Sequence, residues 1–160
     1  MGYEVPGAMG AQVGRPDKVV WSIAGDGGFQ MTMCELATLV ENDIPVKFAI
    51  INNNYLGMVR QWQEIFYKKD YVATLYTRNP DFVKLAEAYG MAGFQVTEKS
   101  QVRPIIEKAM EVNGPVIIDF VVEAEENVYP MIPAGTSVSE MLEAPPLPGT
   151  QLIESKDAST

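Results

Sequence analysis

Gly25-Asp26-Gly27-Gly28-Phe29 and, further on, Asn52-Asn53-Asn54 decide how the rest of the chain reads, with 26 residues lying between Asp26 and Asn53. Upstream, Val19-Val20-Trp21-Ser22-Ile23-Ala24 is a short apolar run with the length and β-branched content of a buried strand. Downstream of the glycines, Met33, Leu36, Ala37 and Val40 recur at i, i+3, i+4 and i+7, which predicts a helix. Ile44-Pro45 ends that helix, and Val46 to Ile51 predicts a second strand that stops at the asparagines. Strand, glycine turn, helix and strand thus bring Asp26 and Asn53 to the ends of two strands running the same way. In open α/β sheets that carboxyl edge is where ligands sit.

A carboxylate and an amide oxygen are hard donors, suited to Mg²⁺ or Ca²⁺ rather than zinc. Mg²⁺ takes few protein ligands and completes its octahedron with water and phosphate. Gly27 and Gly28 allow backbone N–H groups to approach a phosphate closely, and the helix that follows turns its positive end there. The pair therefore points to a diphosphate shared between Mg²⁺ and a helix start. Each string alone also reads as an ordinary turn or loop; together, at two strand ends a helix apart, they are far more specific.

Composition narrows the classes. The chain has 160 residues with 47% hydrophobic content, enough for one domain with a real core. It carries no uncharged apolar run of membrane-spanning length and no basic-headed signal peptide. There is no histidine, which removes Ser-His-Asp chemistry and most zinc sites. The single Cys34 falls within the helical pattern and is expected to be a buried structural thiol; a lone cysteine fits a reducing, cytoplasmic setting. The net charge of −9 is uneven, with seven acidic residues and one lysine from Glu123 onward. No basic face for nucleic acid is present.

The remaining segments complete an alternating pattern. Pro6 sits at the start of a small-residue helix running to about Val13, and Gly14-Arg15-Pro16-Asp17 turns into the first strand. From Leu56 to Tyr67, Val59, Trp62 and Phe66 share one helical face, which by itself reads as an aromatic stripe packed into a core. Asn79-Pro80-Asp81 predicts a helix start with Asn79 as N-cap, and Phe82, Leu85, Ala86 and Tyr89 continue to a stop at Gly90. Gly93 to Thr97 is a third strand, Ser100 opens a helix closed by Asn113-Gly114, and Val116 to Val122 is a fourth, mostly apolar strand. The fold class is α/β: three layers, a mostly parallel sheet with helices on both faces. After Glu123, Tyr129 to Gly135 reads as an ordered turn, and residues 143–160 as a mobile tail beyond a domain spanning 1–142.

Gly25-Asp26-Gly27 followed at this distance by Asn52-Asn53 resembles the thiamine diphosphate motif of thiamine-dependent enzymes. The continuation Leu56-Gly57-Met58-Val59-Arg60-Gln61-Trp62-Gln63, with Phe66-Tyr67 and Pro130-Met131-Ile132-Pro133, is similar to the catalytic subunit of acetohydroxyacid (acetolactate) synthases, over the C-terminal, diphosphate-binding domain. The resemblance implies the thiamine diphosphate-binding fold. It also implies Mg²⁺ ligation by the side chains of Asp26 and Asn53 and the backbone carbonyl of Tyr55. Gly25, Gly27, Gly28, Leu56, Gly57, Met58 and Val59 would contact the cofactor, Met1 would wedge it into a bent shape, and Met58, Val59 and Trp62 would wall the pocket of the second 2-oxoacid. Met1 also reads as a start codon or a core methionine.

The implied reaction decarboxylates pyruvate and joins the two-carbon unit to a second 2-oxoacid, in branched-chain amino-acid synthesis. No catalytic residue is expected in this chain, because the glutamate that activates the cofactor comes from a pyrimidine-binding domain of a second chain. FAD belongs to another domain of the family. A homodimer or larger assembly and a regulatory subunit are expected partners, with no nucleic acid and no membrane. Two other readings stand beside this one: the diphosphate-binding subunit of a split 2-oxoacid decarboxylase of the sulfopyruvate decarboxylase type, and a non-catalytic cofactor-binding module.

Overall fold

The computed structural model describes residues 1–145. Its elements, in chain order, are α1 (Glu4–Gly14), β1 (Trp21–Gly25), α2 (Asp26–Gln30), α3 (Leu36–Glu41), β2 (Lys47–Asn52), α4 (Gly57–Phe66), α5 (Phe82–Ala88), β3 (Ala92–Val96), α6 (Val102–Glu111) and β4 (Val116–Val121). The chain divides into two compact units, one of residues 1–55 and 76–124, the other of residues 56–75 and the chain from Glu125 on. From residue 146 the expected tail lies outside the described residues.

The first unit is the α/β layer structure the alternating pattern predicts. Its four strands are all parallel and lie in the order β1-β2-β4-β3. Trp21 pairs with Lys47, Lys47 with Val116, and Ala92 with Val116, so all strands start in register and end along one carboxyl edge. The central strands β2 and β4 are buried on both faces over most of their length and read as continuous hydrophobic runs, whereas the edge strand β1 alternates and leaves Ile23 exposed. On one face Phe29, Leu36, Leu39, Phe82 and Ala86 pack with Phe48, Ile50 and Ile117; on the other, α6 covers Val96, Val116 and Ile118. Phe29 centres the larger cluster, edge-on to Phe48 at 5.7 Å and to Phe82 at 5.9 Å between ring centroids.

Three expectations need correction. The helix expected after the glycines is not continuous: α2 ends at Gln30, and a 3-10 turn, Met33–Glu35, precedes α3. Thr32 leaves helical geometry (φ −132°, ψ 18°) while its Oγ1 donates to the carbonyl of Gly2 at 3.0 Å, an alternative to helical bonding that Thr readily takes. The break resets the buried face to Leu36 and Leu39, leaving Ala37 and Cys34 exposed; the thiol is a surface group, not a core one. Asn79 is not the N-cap of α5. Asp81 is, accepting from the N–H groups of Val83 and Lys84 at 3.1 and 3.0 Å. Gly90 does stop that helix, at φ +74°.

The second unit is built on α4 and the returning chain. The most buried residues of α4 are polar, Arg60 and Gln61. The Gln61 amide makes a two-way fork with Val128, donating to its carbonyl at 2.9 Å and accepting from its N–H at 2.8 Å. Arg60 pairs with Glu64 at 2.8 Å and Glu125 at 3.6 Å, with its guanidinium over the Tyr71 ring. A two-stranded bridge between Met131 and Leu142 and a Ser137–Glu140 capping box order the rest.

Because Asp81 supplies the only side-chain cap on α5 among the described residues, Asp81→Ala is expected to cost about 1 kcal/mol in urea unfolding.

Candidate functional site

The carboxyl edge of the sheet gathers the motif residues of the first unit. β1 ends at Gly25, so Asp26 opens α2 at the strand end, and β2 ends at Asn52. Asp26 is only 1% exposed. Burial pushes its carboxyl above the usual carboxylate range, while donation from Asn79 and from the backbone N–H groups of Gly27 and Asn54 works the other way.

Asn79, 53 residues away in sequence, is the group on which the edge converges. Its Nδ2 lies 2.6 Å from Asp26 Oδ2, 3.1 Å from Asn52 Oδ1 and 3.0 Å from Asn54 Oδ1. Its own oxygen accepts from Gln30 Nε2 at 3.0 Å, and Gln30 Nε2 also reaches the Asp26 carbonyl at 3.1 Å. Asn52 turns its Nδ2 the other way, to Asp119 Oδ1 at 3.0 Å, and Gln95 donates to Asp119 Oδ2 at 3.0 Å. Asp119 is 2% exposed.

The direction of every amide in this chain follows from its ends. The Asn54 N–H donates to Asn52 Oδ1 at 3.3 Å, so Asn52 gives its NH₂ to Asp119 and keeps its oxygen towards Asn79. Asn79 must then give its NH₂ to Asn52 and Asp26, leaving its oxygen for Gln30. Reversing any one amide would set like groups face to face at about 3 Å, the unpaired-polar penalty of a buried network.

The expected ligands are placed unequally. Asp26 sits at the centre of the cluster. The Asn53 oxygen instead closes a local turn on the Tyr55 N–H at 3.1 Å, and Asn54 takes the left-handed conformation (φ 59°) that asparagine tolerates. Tyr55 lies on that same turn. Gly27 and Gly28 are buried in the first turn of α2. A Cβ at Gly28 would fall 2.5 Å from Glu4 Oε1, the end of a side chain whose Oε2 is buried without a hydrogen-bond partner. Met1 is exposed.

Among the described residues no group of three or more His, Cys, Asp or Glu side chains could hold a metal. A cation here would have one carboxylate with amide and backbone oxygens, the sparse hard donor set that Mg²⁺ completes with water and phosphate. The residues fit that ion.

In the second unit, Met58, Val59 and Trp62 face one cavity and are not packed into a core. They line a cavity of about 530 Å³ with Gln63, Tyr67, Asp70 and Val72. Met58 is 51% exposed and Trp62 38%, and the indole is braced edge-on by Phe66 at 5.4 Å. Leu56 and Gly57 start α4, with the Leu56 N–H on the Thr74 carbonyl.

A parallel sheet with a Gly-Asp-Gly turn and an asparagine turn at its carboxyl edge defines an α/β domain of the kind that takes its ligand outside the strand ends. Residues 1–120 match the family model of the thiamine pyrophosphate enzyme C-terminal TPP-binding domain, and the chain belongs to that family. It is 49% identical over 146 residues to the acetolactate synthase large subunit of Corynebacterium glutamicum, covering 88% of this chain and 23% of that one. Identity to the acetolactate synthase isozyme 2 large subunit of Escherichia coli K12 is 43% over 143 residues, covering 89% and 26%. Among solved structures it is similar to a thiamine diphosphate-dependent 4-hydroxybenzoylformate decarboxylase of Rhodococcus jostii RHA1, with a TM-score of 0.71 and 29% identity over 79% of this chain and 24% of that one. The chain spans about a quarter of the length of these relatives.

Asp26→Asn tests the buried charge. A raised pKa means that ionisation of Asp26 costs stability near neutral pH, and that the cost shrinks as pH falls below that pKa and is gone below the ordinary carboxylate value. Without metal, the variant is expected to match or exceed wild type in urea unfolding near neutral pH, with the difference shrinking in mild acid.

Proposed function

We propose that this chain is the diphosphate-anchoring part of a thiamine diphosphate-dependent acetolactate synthase. The observation that carries this reading is the desolvated Asp26 carboxylate, held among the Asn52 and Asn54 oxygens at the carboxyl edge. A buried charge surrounded by neutral dipoles is costly unless a cation completes it.

In this reading Asp26, Asn53 and the Tyr55 carbonyl hold Mg²⁺. The backbone of the first turn of α2, at Gly27 and Gly28, faces the phosphate oxygens, with the Gly27 N–H shared with the Asp26 carboxylate. Gly25, Leu56 and Gly57 border the cofactor, and Met1 packs against it. When bound, thiamine diphosphate supplies the carbon nucleophile and electron sink that decarboxylation of a 2-oxoacid requires. Met58, Val59 and Trp62 give the second 2-oxoacid an apolar wall, and the rigid indole discriminates acceptors by their size, about 1–3 kcal/mol per methylene. The first substrate is pyruvate. The reacting end is completed by a glutamate from the pyrimidine-binding domain of a second chain, so the working form is at least a dimer, in the cytoplasm.

Thiamine diphosphate with Mg²⁺ is expected to raise the thermal unfolding midpoint of the chain, and neither should do so alone. Asp26→Ala should abolish the shift; equal stabilisation of wild type and variant would sink the metal assignment. The purified 160-residue chain is expected to form no acetolactate from pyruvate by colorimetric assay, and measurable turnover would refute the need for a second domain.

A further inference from the structure

The ligand set of Asp26, Asn53 and Tyr55 leaves Asn79 without a role, yet the Asn79 amide organises the edge those residues share. An amide has two hydrogens, and Nδ2 of Asn79 faces three oxygens at 2.6, 3.0 and 3.1 Å, from Asp26, Asn54 and Asn52. By meeting all three, this one amide ties the Asp26 carboxylate to the asparagine turn at the end of β2, the turn that carries Asn53 and Tyr55. The amide cannot turn away. Its oxygen is held by Gln30, and its NH₂ direction is dictated by the Asn52 oxygen, which the Asn54 N–H keeps on that side.

We propose that Asn79 is a positioning residue of the cation site. Its donating amide fixes the Asp26 carboxylate in one orientation and ties it to the asparagine turn, so that the ligands are already arranged before the ion arrives. The inference rests on the reading of Asp26 as a cation ligand. Groups that hold metal ligands in this way commonly matter 10- to 100-fold in affinity. The competing role is purely structural: Asn79 would tie the loop before α5 to the sheet and matter only for folding. Asn79→Ala would then lower the unfolding midpoint and leave cation affinity untouched.

Mn²⁺ serves as the probe, its free ion followed by electron paramagnetic resonance during titration into the full chain with thiamine diphosphate present. Wild type, Asp26→Ala and Asn79→Ala are compared, together with each protein's metal-free unfolding midpoint. Asn79→Ala is expected to weaken Mn²⁺ binding about 10-fold or more while remaining folded. If wild type takes up no Mn²⁺, or Asp26→Ala takes up as much as wild type, the cation reading of the edge fails and the inference falls with it. If Asp26→Ala loses Mn²⁺ and Asn79→Ala keeps the wild-type affinity, the cation reading stands and the role of Asn79 is overturned. Should Asn79→Ala not fold, Gln30→Ala decides, because it removes the donor that anchors the Asn79 oxygen and costs otherwise one bond to the Asp26 backbone carbonyl, leaving the Asp26 carboxylate itself untouched. A smaller loss of Mn²⁺ affinity in the same direction is expected there, and an unchanged affinity overturns the proposal.

Discussion

A carboxylate buried to 1% exposure is the constraint to which the carboxyl edge answers. Asp26 makes no ion pair among the described residues; its neighbours are the amide of Asn79 and backbone N–H groups. Neutral dipoles can orient around a desolvated charge but cannot cancel it, and the upward pull of burial on its pKa records the shortfall. A core built only for stability would place an apolar side chain here, since replacing buried ionic groups with packed hydrophobics is often neutral or favourable. The surrounding structure is instead spent on orienting the charge. Gln30 holds Asn79, Asn79 holds Asp26, and the Asn54 N–H fixes which way the Asn52 amide points between Asn79 and the second buried carboxylate, Asp119.

The second unit divides polar and apolar character differently. On α4 the polar residues Arg60 and Gln61 are buried, whereas the apolar Met58, Val59 and Trp62 stand at the surface and line a cavity. The reversal follows from what each face meets. The segment around Val128 forms no strand or helix, so its backbone N–H and C=O need partners, and the Gln61 side chain supplies both with one amide. That fork fixes the rotation of the helix about its axis. Met58, Val59 and Trp62, on the other side of the same two turns, are then committed to the cavity whatever their own preference for burial.

Local chemistry made most of the fold legible. Strand-like runs five to seven residues long gave the four strands, the Gly-Asp-Gly and asparagine turns marked the ends of β1 and β2, and Gly90 stopped its helix where a left-handed residue was needed. What stayed hidden was set by partners far away in sequence. Asn79 sits in Asn-Pro-Asp, where a local rule offers it the N-cap; the cap goes to Asp81, and Asn79 is drawn to oxygens 25 to 53 residues away. Asp119 lies inside an apolar strand, and nothing in its neighbours announces Asn52, 67 residues away. The break at Thr32 likewise depends on the carbonyl of Gly2, 30 residues earlier. Cys34 was misplaced for that reason alone: one interrupted turn rotates every residue after it.

Gly28 shows how a motif glycine can answer to two constraints at once. An added Cβ would meet Glu4 Oε1 at 2.5 Å, so in this chain the absence of a side chain at 28 is already required by a neighbour on α1. That neighbour is the end of a flexible side chain, which can move aside, and not backbone, which cannot. Gly25 is the opposite case: an added Cβ meets nothing within 4 Å, and its backbone is ordinary extended geometry at φ −75° and ψ 152°. Neither position thus needs glycine for a rigid packing reason or for an unusual backbone angle. The two differ in what fills the missing side chain's place: at Gly28 it is the Glu4 carboxyl, at Gly25, next to Asp26 at the end of β1, nothing within 4 Å. The open place at Gly25 lies beside a buried carboxylate that has no ion pair among the described residues, so it is on the β1 side of the edge that a ligand finds both room and charge.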